Sequence, residues 1–369
     1  MNQKRPLRLL ISAGGTGGHI YPALAVASEI RQKYPDAQIL FVGAQGKMEM
    51  EKVPKAGFDI VGLPVKGMPR RLSFKMVTFV YSLIMSLLKA RKLIRNFKPD
   101  VAAGFGGFAS GPVLAWAGFY KIPYIIQEQN SYPGITNKLL ARRASKICVA
   151  YDSMDRFFPI EKIVVTGNPV RSELYQAPPS KIMARQKLEL NPDKTTVLVL
   201  GGSLGARSIN NQILSMIKWF QETGYQLLWQ TGSLYYEEMV KKANLNEDAP
   251  VKIMRFIDAM ELAFSAADII ITRAGAGTIS ELCLVGKPVI LIPSPNVAED
   301  HQTHNARALS EKHAAILLPD NKIETLAKVL EKTLNDRDLM NELSENIRKL
   351  AKPLSSQNIA AEIMKCVKQ

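Results

Sequence analysis

Cysteine is scarce: the 369 residues hold three, Cys148, Cys283 and Cys366, far apart and with no CxxC pair. That excludes a disulfide framework and a cysteine-based zinc site, and it fits a reducing compartment. Long apolar runs are also missing. The longest, Met76 to Leu88, covers 13 positions. As a helix it would extend about 20 Å, short of a hydrocarbon core of roughly 30 Å. The opening MNQKRPLRLLISAGG is basic and then apolar, but Arg8 breaks the apolar run and glycines follow it at once. A buried first strand explains it better than a signal peptide. Neither a low-complexity tract nor a repeat array is visible. The chain is 47% hydrophobic and 22% charged, which is globular rather than disordered or collagen-like. Its length suits two domains of roughly 150 residues each.

Acidic residues are absent from one stretch. Between Asp59 and Asp100 lie nine basic residues and no acidic one. The first 170 residues carry 24 Lys and Arg against 10 Asp and Glu, whereas the remainder carries 24 against 23. Nearly all of the net charge of +15 therefore belongs to the first part. Such a face predicts a polyanionic partner, either nucleic acid or an anionic membrane surface. Within the stretch, Met76, Phe79, Val80, Leu83 and Leu87 form one stripe at helical spacing, and Val77, Tyr81, Ile84 and Leu88 form another. Thr78, Ser82 and Ser86 are the polar remainder. A surface helix needs one stripe for its core. The second, flanked by Arg70, Arg71, Lys75, Lys89, Arg91 and Lys92, fits contact with an anionic bilayer, a wholly buried helix being the competing reading. No aromatic-interleaved basic groove or RNA motif favours nucleic acid.

Short apolar runs alternate with helix-period segments, which predicts an α/β fold with parallel strands. Strands are expected at 7–12, 38–42, 101–103, 124–127 and 146–149, and again at 195–200, 226–230, 251–256, 268–272 and 288–292. Helices are expected from about Pro22 to Tyr34 and from the second glycine loop to about Phe220. Two strand–glycine loop–helix openings about 190 residues apart suggest two doubly wound, Rossmann-like domains facing across a cleft. The hinge is placed near residue 170, giving domains 1–170 and 171–352. A C-terminal helix in 353–369, after Pro353, is expected to pack back on the first domain.

Three loops could carry chemistry. Gly14-Gly15-Thr16-Gly17-Gly18-His19 lets backbone N–H groups approach a phosphate or sugar, and the helix that follows adds its dipole. It matches neither GxGxxG nor the Walker pattern. Gly201-Gly202-Ser203-Leu204-Gly205-Ala206-Arg207 lacks the Walker lysine too, so a diphosphate held by a hydroxyl, amides and a helix dipole fits better than an NTPase site. Thr272-Arg273-Ala274-Gly275 through Glu281 follows an apolar run, at the strand end where open α/β sheets bind ligands, and Glu281 could accept two vicinal hydroxyls. Each loop also has a plain structural reading, as a tight βα turn or a solvated first-turn carboxylate.

Six motifs occur together: Gly14-Gly15-Thr16-Gly17-Gly18-His19, Glu128-Gln129-Asn130, Gly167-Asn168-Pro169-Val170-Arg171, Gly201-Gly202-Ser203-x-Gly205-Ala206-Arg207, Gly275-Ala276-x-Thr278-x-Ser280-Glu281 and Gln302-x-x-Asn305-Ala306. In this order, over essentially the whole chain, they resemble the bacterial MurG family. Its members are UDP-N-acetylglucosamine:undecaprenyl-pyrophosphoryl-MurNAc-pentapeptide N-acetylglucosaminyltransferases, inverting enzymes of family 28 with GT-B architecture. The resemblance implies GlcNAc transfer from UDP-GlcNAc to the 4-hydroxyl of the lipid-borne MurNAc-pentapeptide, in peptidoglycan synthesis. It also implies a peripheral protein on the cytoplasmic face of the inner membrane, with no cofactor and no nucleic acid partner. Implied donor contacts are Thr16, Gly17, Gly18, Asn130, Arg171, Ser203, Ile257, Ala276, Gly277, Thr278, Ile279, Ser280, Glu281 and Gln302. Among them Ser203 would meet the diphosphate, Glu281 the ribose, the Ile257 main chain the uracil and Gln302 the GlcNAc hydroxyls. Two positions depart from the family: Gln127 stands where His is frequent, and Phe108 where Tyr is usual.

Inversion needs a base to take the acceptor proton and positive groups to stabilise the departing diphosphate. His19 is the first candidate base and Glu128 the second, with a merely turn-capping role as the alternative for His19. No metal is expected. The only DxD, Asp336-Arg337-Asp338, reads as a solvated helix start, and the His301–His304 pair lacks a third ligand. Other readings are a different UDP-sugar enzyme, such as a UDP-GlcNAc epimerase or lipid glycosyltransferase, and a non-enzymatic basic adaptor for membrane or nucleic acid.

Overall fold

The computed structural model describes residues 5–67, 75–170, 174, 177–246 and 248–367. Two compact units divide the chain, Met1–Val170 with Leu354–Gln369, and Arg171–Pro353.

In the first unit a parallel sheet forms from β1 (Arg8–Ser12), β2 (Gln38–Ala44), β3 (Asp59–Leu63), β4 (Val101–Gly104), β5 (Tyr124–Glu128), β6 (Lys146–Val149) and β7 (Ile163–Val165). The order is β3-β2-β1-β4-β5-β6-β7, and Ser12 stands level with Gly104. The middles of the central strands are apolar because helices cover both faces, and the buried polar residues Ser12, Gln127 and Glu128 sit at the strand ends. Those helices are α1 (Gly17–Lys33), α2 (Glu49–Lys55), α3 (Lys75–Phe97), α4 (Ser110–Phe119) and α5 (Ile135–Ala141). One core joins Leu9, Ile11, Ile20, Val26 and Phe41 to Ile359 and Ile363. The last two come from the C-terminal helix (Ser355–Lys365), which packs on α1.

The second unit starts with α6 (Lys181–Lys187) and repeats the scheme. Its strands are β8 (Thr196–Leu200), β9 (Gln226–Gln230), β10 (Val251–Met254), β11 (Ile269–Thr272), β12 (Val289–Leu291) and β13 (Ile316–Leu317). They run parallel in the order β10-β9-β8-β11-β12-β13. The helices are α7 (Arg207–Ser215), α8 (Ile217–Thr223), α9 (Tyr236–Ala243), α10 (Met260–Ala266), α11 (Ala276–Val285), α12 (His301–Ser310), α13 (Leu326–Asn335) and α14 (Arg337–Lys349); the C-terminal helix is α15. In each sheet the strand order reverses direction at one place, between β1 and β4 and between β8 and β11, which opens a crevice at the strand ends.

Several boundaries differ from the sequence reading. Helix α1 begins at Gly17, not near Pro22, because the glycine turn runs straight into it and the proline is accommodated in its second turn. One helix was expected to reach about Phe220, but a break at Met216 makes it two, α7 and α8. The edge strands β3, β7 and β13 were not anticipated. Helix α3 is the largest departure. Its buried line is Ser82, Ser86, Ala90 and Ile94, facing inward, with Ser86 Oγ donating to the Ser82 carbonyl at 2.6 Å. The expected core stripe is partly outside, since Val80 is 45% and Leu83 38% exposed. Small side chains on that line let α3 lie close to α4, and the Ser86 hydroxyl is satisfied within the helix, so serine is tolerated there.

Candidate functional site

In the first unit, three loops lie side by side at the carboxyl ends of β1, β4 and β5. Residues Gly17 and Gly18 form the first turn of α1, where N–H groups have no acceptor within the helix. Thr16 is the N-cap residue and is exposed. Half-buried His19 places Nδ1 3.0 Å from the Gly14 carbonyl oxygen and 3.1 Å from Thr16 Oγ1. A carbonyl can only accept, so Nδ1 carries a proton, and in the neutral ring Nε2 carries the lone pair. The loop after β4 closes over this turn. Gly106 and Gly107 have φ of +90° and +82°, and a Cβ on Gly107 would stand 2.1 Å from the Gly14 oxygen. Gly106 lies against the Cδ2–Nε2 edge of His19. Phe108, in the same loop, is exposed.

Glu128 is buried, and both its oxygens are engaged. Oε1 accepts from the Asn130 backbone at 3.0 Å and side chain at 3.3 Å; Oε2 accepts from Asn137 Nδ2 at 2.8 Å and the Gly134 N–H at 3.3 Å. Burial pushes its carboxyl above the usual carboxylate range, while these hydrogen bonds pull against that rise. The carboxylate thus shapes the 129–134 loop that holds Asn130. Gln127 stands in a buried amide relay: its Nε2 donates to Asn168 Oδ1 at 2.8 Å, its Oε1 accepts from Gln129, and Asn168 Nδ2 donates to the Gln129 carbonyl at 3.0 Å. The relay ties the end of β5 to the Gly167–Arg171 motif. Arg171 itself lies outside the described residues, as do Arg70 and Arg71.

In the second unit, the crevice between β8 and β11 holds a cavity of about 720 Å³. Gly201, Gly202 and Gly205 line one side, Gly275 and Thr278 another, and Gln302 a third. Ser203 is exposed on the glycine loop, and its carbonyl accepts from the Ser233 N–H at 3.0 Å. A close approach makes this possible: a Cβ on Gly205 would lie 2.2 Å from the Thr231 oxygen. Gln230 joins two loops, its Nε2 donating to the Gly202 carbonyl at 3.2 Å and its Oε1 accepting from the Ile257 N–H at 2.9 Å. The Ile257 main chain can therefore offer a ligand its carbonyl, its N–H being taken. Ala276, Gly277 and Thr278 form the first turn of α11, with donors directed at the strand ends. The Ile279 side chain is buried in the core, so only its backbone can serve the site. Ser280 Oγ donates to the Ala276 carbonyl at 3.0 Å, and half-buried Glu281 follows in the second turn. Gln302 Oε1 accepts from the Ser294 N–H at 2.8 Å, which fixes its amide at the cavity wall.

Sequence reasoning missed a cluster on the cavity floor. Arg273 Nη1 meets Asp320 Oδ1 at 2.6 Å, its Nη2 donates to Ser208 Oγ at 2.7 Å, and the Ile292 and Pro293 carbonyls accept further bonds from Nη1. It pins the β11 loop to α7. The signal was present, since Arg273 opens the third loop, but Asp320 is 47 residues away and only the fold brings it there. Asp336 caps α14, accepting from the Leu339 N–H at 2.9 Å. Among the described residues no group of three or more His, Cys, Asp or Glu side chains could hold a metal ion, His301 and His304 included.

Residues 9–149 match the glycosyltransferase family 28 N-terminal domain, and residues 196–362 match the family 28 C-terminal domain. The chain belongs to this family. Within it, the chain is 51% identical over 366 residues to the UDP-N-acetylglucosamine–N-acetylmuramyl-(pentapeptide) pyrophosphoryl-undecaprenol N-acetylglucosamine transferase of Bacteroides fragilis, covering 98% of this chain and 96% of that protein. It is 50% identical to the like-named protein of Flavobacterium psychrophilum, with 98% of each covered. The crystal structure of Acinetobacter baumannii MurG matches with a TM-score of 0.79 and 30% identity, over 98% of this chain and 100% of that one. A family 28 member with these relatives is a MurG-type glycosyltransferase. A UDP-GlcNAc 2-epimerase from Neisseria meningitidis shares the fold alone, at 14% identity and a TM-score of 0.66.

The exposed face of α3 belongs to the same unit as His19. Val77 is 69% and Tyr81 66% exposed, and Ile84 and Leu88 are exposed beside them. Lys89 Nζ donates to the Gly62 carbonyl at 2.7 Å, which anchors the helix while leaving its charge at the surface. The Lys75 side chain lies outside the described residues. Among the described residues no helix is long and apolar enough to cross a membrane.

Proposed function

We propose that this protein transfers N-acetylglucosamine, with inversion, from UDP-GlcNAc to the 4-hydroxyl of undecaprenyl-pyrophosphoryl-MurNAc-pentapeptide, converting lipid I to lipid II in peptidoglycan synthesis. The observation that carries this is the identity of about half of all positions, over nearly the full length, with transferases bearing that name. The acceptor oxygen attacks the anomeric carbon as the bond from that carbon to the diphosphate oxygen breaks. UDP leaves with the bonding electrons, and the hydroxyl proton passes to a base. His19 is assigned that role, because the Gly14 carbonyl keeps the proton on Nδ1 and the lone pair on Nε2. Glu128 is assigned to positioning Asn130, since four donors occupy it.

The UDP moiety is assigned to the cavity between β8 and β11. There Ser203 and the first-turn amides of α7 would meet the diphosphate, and Arg171 would add charge. Glu281 would take the ribose hydroxyls, the Ile257 carbonyl the uracil, and Gln302 the sugar. The backbone amides of Thr16, Gly17 and Gly18 and the Asn130 side chain are assigned as further donor contacts. No cofactor or metal is assigned. The exposed apolar face of α3, in the basic first unit, is assigned to an anionic membrane surface rather than to nucleic acid. The protein is accordingly assigned a peripheral place on the membrane, and the family resemblance adds the cytoplasmic face of the inner membrane, where the lipid-borne acceptor would be presented.

The test is UDP release from UDP-GlcNAc with and without a polyprenyl-diphospho-MurNAc-peptide. Acceptor-dependent release with formation of a GlcNAc–MurNAc disaccharide is expected. Epimerisation of the sugar without acceptor would overturn the assignment.

A further inference from the structure

The carboxylate of Glu49 sits directly behind the glycine turn and is fully buried. It opens α2, in a stretch (Glu49-Met50-Glu51-Lys52) that reads as a solvated helix end. Its Oε1 accepts two backbone hydrogen bonds, from Gly15 at 3.0 Å and from Ala44 at 2.9 Å. Two glycines make room for it: a Cβ on Gly14 would lie 2.6 Å from Oε1, and one on Gly43 would lie 2.5 Å from Cγ. The Gly15 N–H is therefore turned away from any ligand and toward Glu49. Holding the Gly15 amide fixes the plane of the Gly14–Gly15 peptide, whose other end is the carbonyl that accepts from His19 Nδ1 at 3.0 Å. Gly107 packs close to the same carbonyl, with no room for a Cβ beside its oxygen.

We infer that Glu49 is a positioning residue for the transfer reaction: by clamping the Gly14–Gly15 peptide it sets the tautomer and orientation of His19. The inference rests on the proposed role of His19 as base. A carboxylate suits the task because one oxygen can accept two amides at once. Glycine alone would leave the peptide free to rotate, since Gly15, at φ +90°, has no neighbour within 4 Å of where its Cβ would be. With the peptide rotated, the Gly14 carbonyl would no longer demand a proton on Nδ1. The Nε2–H tautomer, which cannot accept the substrate proton, would then be populated.

The chain has four histidines, so the imidazole nitrogens of 15N-histidine-labelled full-length protein can be assigned by substituting His19. Wild-type His19 is expected to show the Nδ1–H tautomer. Glu49→Gln keeps the accepting oxygen and should keep the tautomer, with kcat within about threefold of wild type. Glu49→Asp withdraws the oxygen by roughly 1.5 Å. It should mix the two tautomers and lower kcat by about tenfold or more, with KM for UDP-GlcNAc within twofold. Glu49→Ala should do the same more strongly, and Glu49→Asp carries the test if the alanine variant does not fold. A wild-type tautomer and kcat in folded Glu49→Asp would overturn the inference. Full turnover in His19→Ala would instead remove His19 as base, while the tautomer shift would still report whether Glu49 orients the ring.

Discussion

At the scale of single residues, the first-unit site depends on close backbone approach. Gly107 has φ +82° and leaves no room for a Cβ beside the Gly14 oxygen. Gly107→Ala should therefore displace the carbonyl that holds His19. Strain at a positive φ together with the clash is expected to cost ~1–3 kcal/mol of stability and to lower kcat by at least tenfold. Thermal unfolding and initial-rate measurements on the same preparation would check this. A variant with unchanged turnover would show that the Gly14 carbonyl does not control the base. The glycines of this loop were legible as a tight turn between the first strand and α1, but their separate tasks were not. Gly17 and Gly18 offer first-turn amides, Gly14 makes room for Glu49, and the Gly15 amide is held by it. Glu49 gave no signal at all, because a carboxylate beside lysines in a linear sequence looks solvated whether or not the fold buries it.

At the scale of elements, α3 shows how a period can be right and a face wrong. Two apolar stripes at helical spacing were visible, and burial of one was expected. The serine line faces inward instead, because α4 approaches closely and small side chains fit there. What remains outside is more apolar than a solvent face requires. Replacing Val77, Tyr81, Ile84 and Leu88 together by Ser is expected to abolish co-sedimentation with acidic vesicles while changing UDP-GlcNAc affinity less than twofold. Ser86→Leu, on the buried line, should destabilise the unit by ~1–3 kcal/mol through overpacking. Undiminished vesicle binding by the fourfold variant would remove α3 from the membrane assignment. The edge strands β3, β7 and β13 escaped notice for a related reason. β7 and β13 are only three and two residues long, and β3 carries Asp59 and Gly62, as an edge strand, covered less completely than a central one, allows.

At the scale of the whole molecule, the end of the chain helps stabilise its beginning. Ile359 and Ile363 of α15 are fully buried against α1 and β1 residues. Truncating Ile359 to Ala should cost ~2–5 kcal/mol, the range for a buried aliphatic side chain. Calorimetry should show the loss in one unfolding transition, that of the first unit. The transition that UDP-GlcNAc raises should stay within a degree or two of wild type. A shift of both transitions by the same amount would mean that the two units unfold as one.

The sequence by itself determined the class of fold, the place where one unit gives way to the next, and the loops at the strand ends. These follow from apolar periodicity and glycine placement, which act over a few residues and are written in order along the chain. Six motifs in series also carried the family. Only the tertiary structure decided that the carboxylates of Glu128 and Glu49 are buried and bound to backbone amides. It alone decided which face of α3 is buried, and that Arg273 meets Asp320. Each of these turns on burial, and all but the Glu128 loop turn on partners distant in sequence. Such contacts exist only once the chain has folded and its buried polar groups have found the donors and acceptors that offset the loss of water.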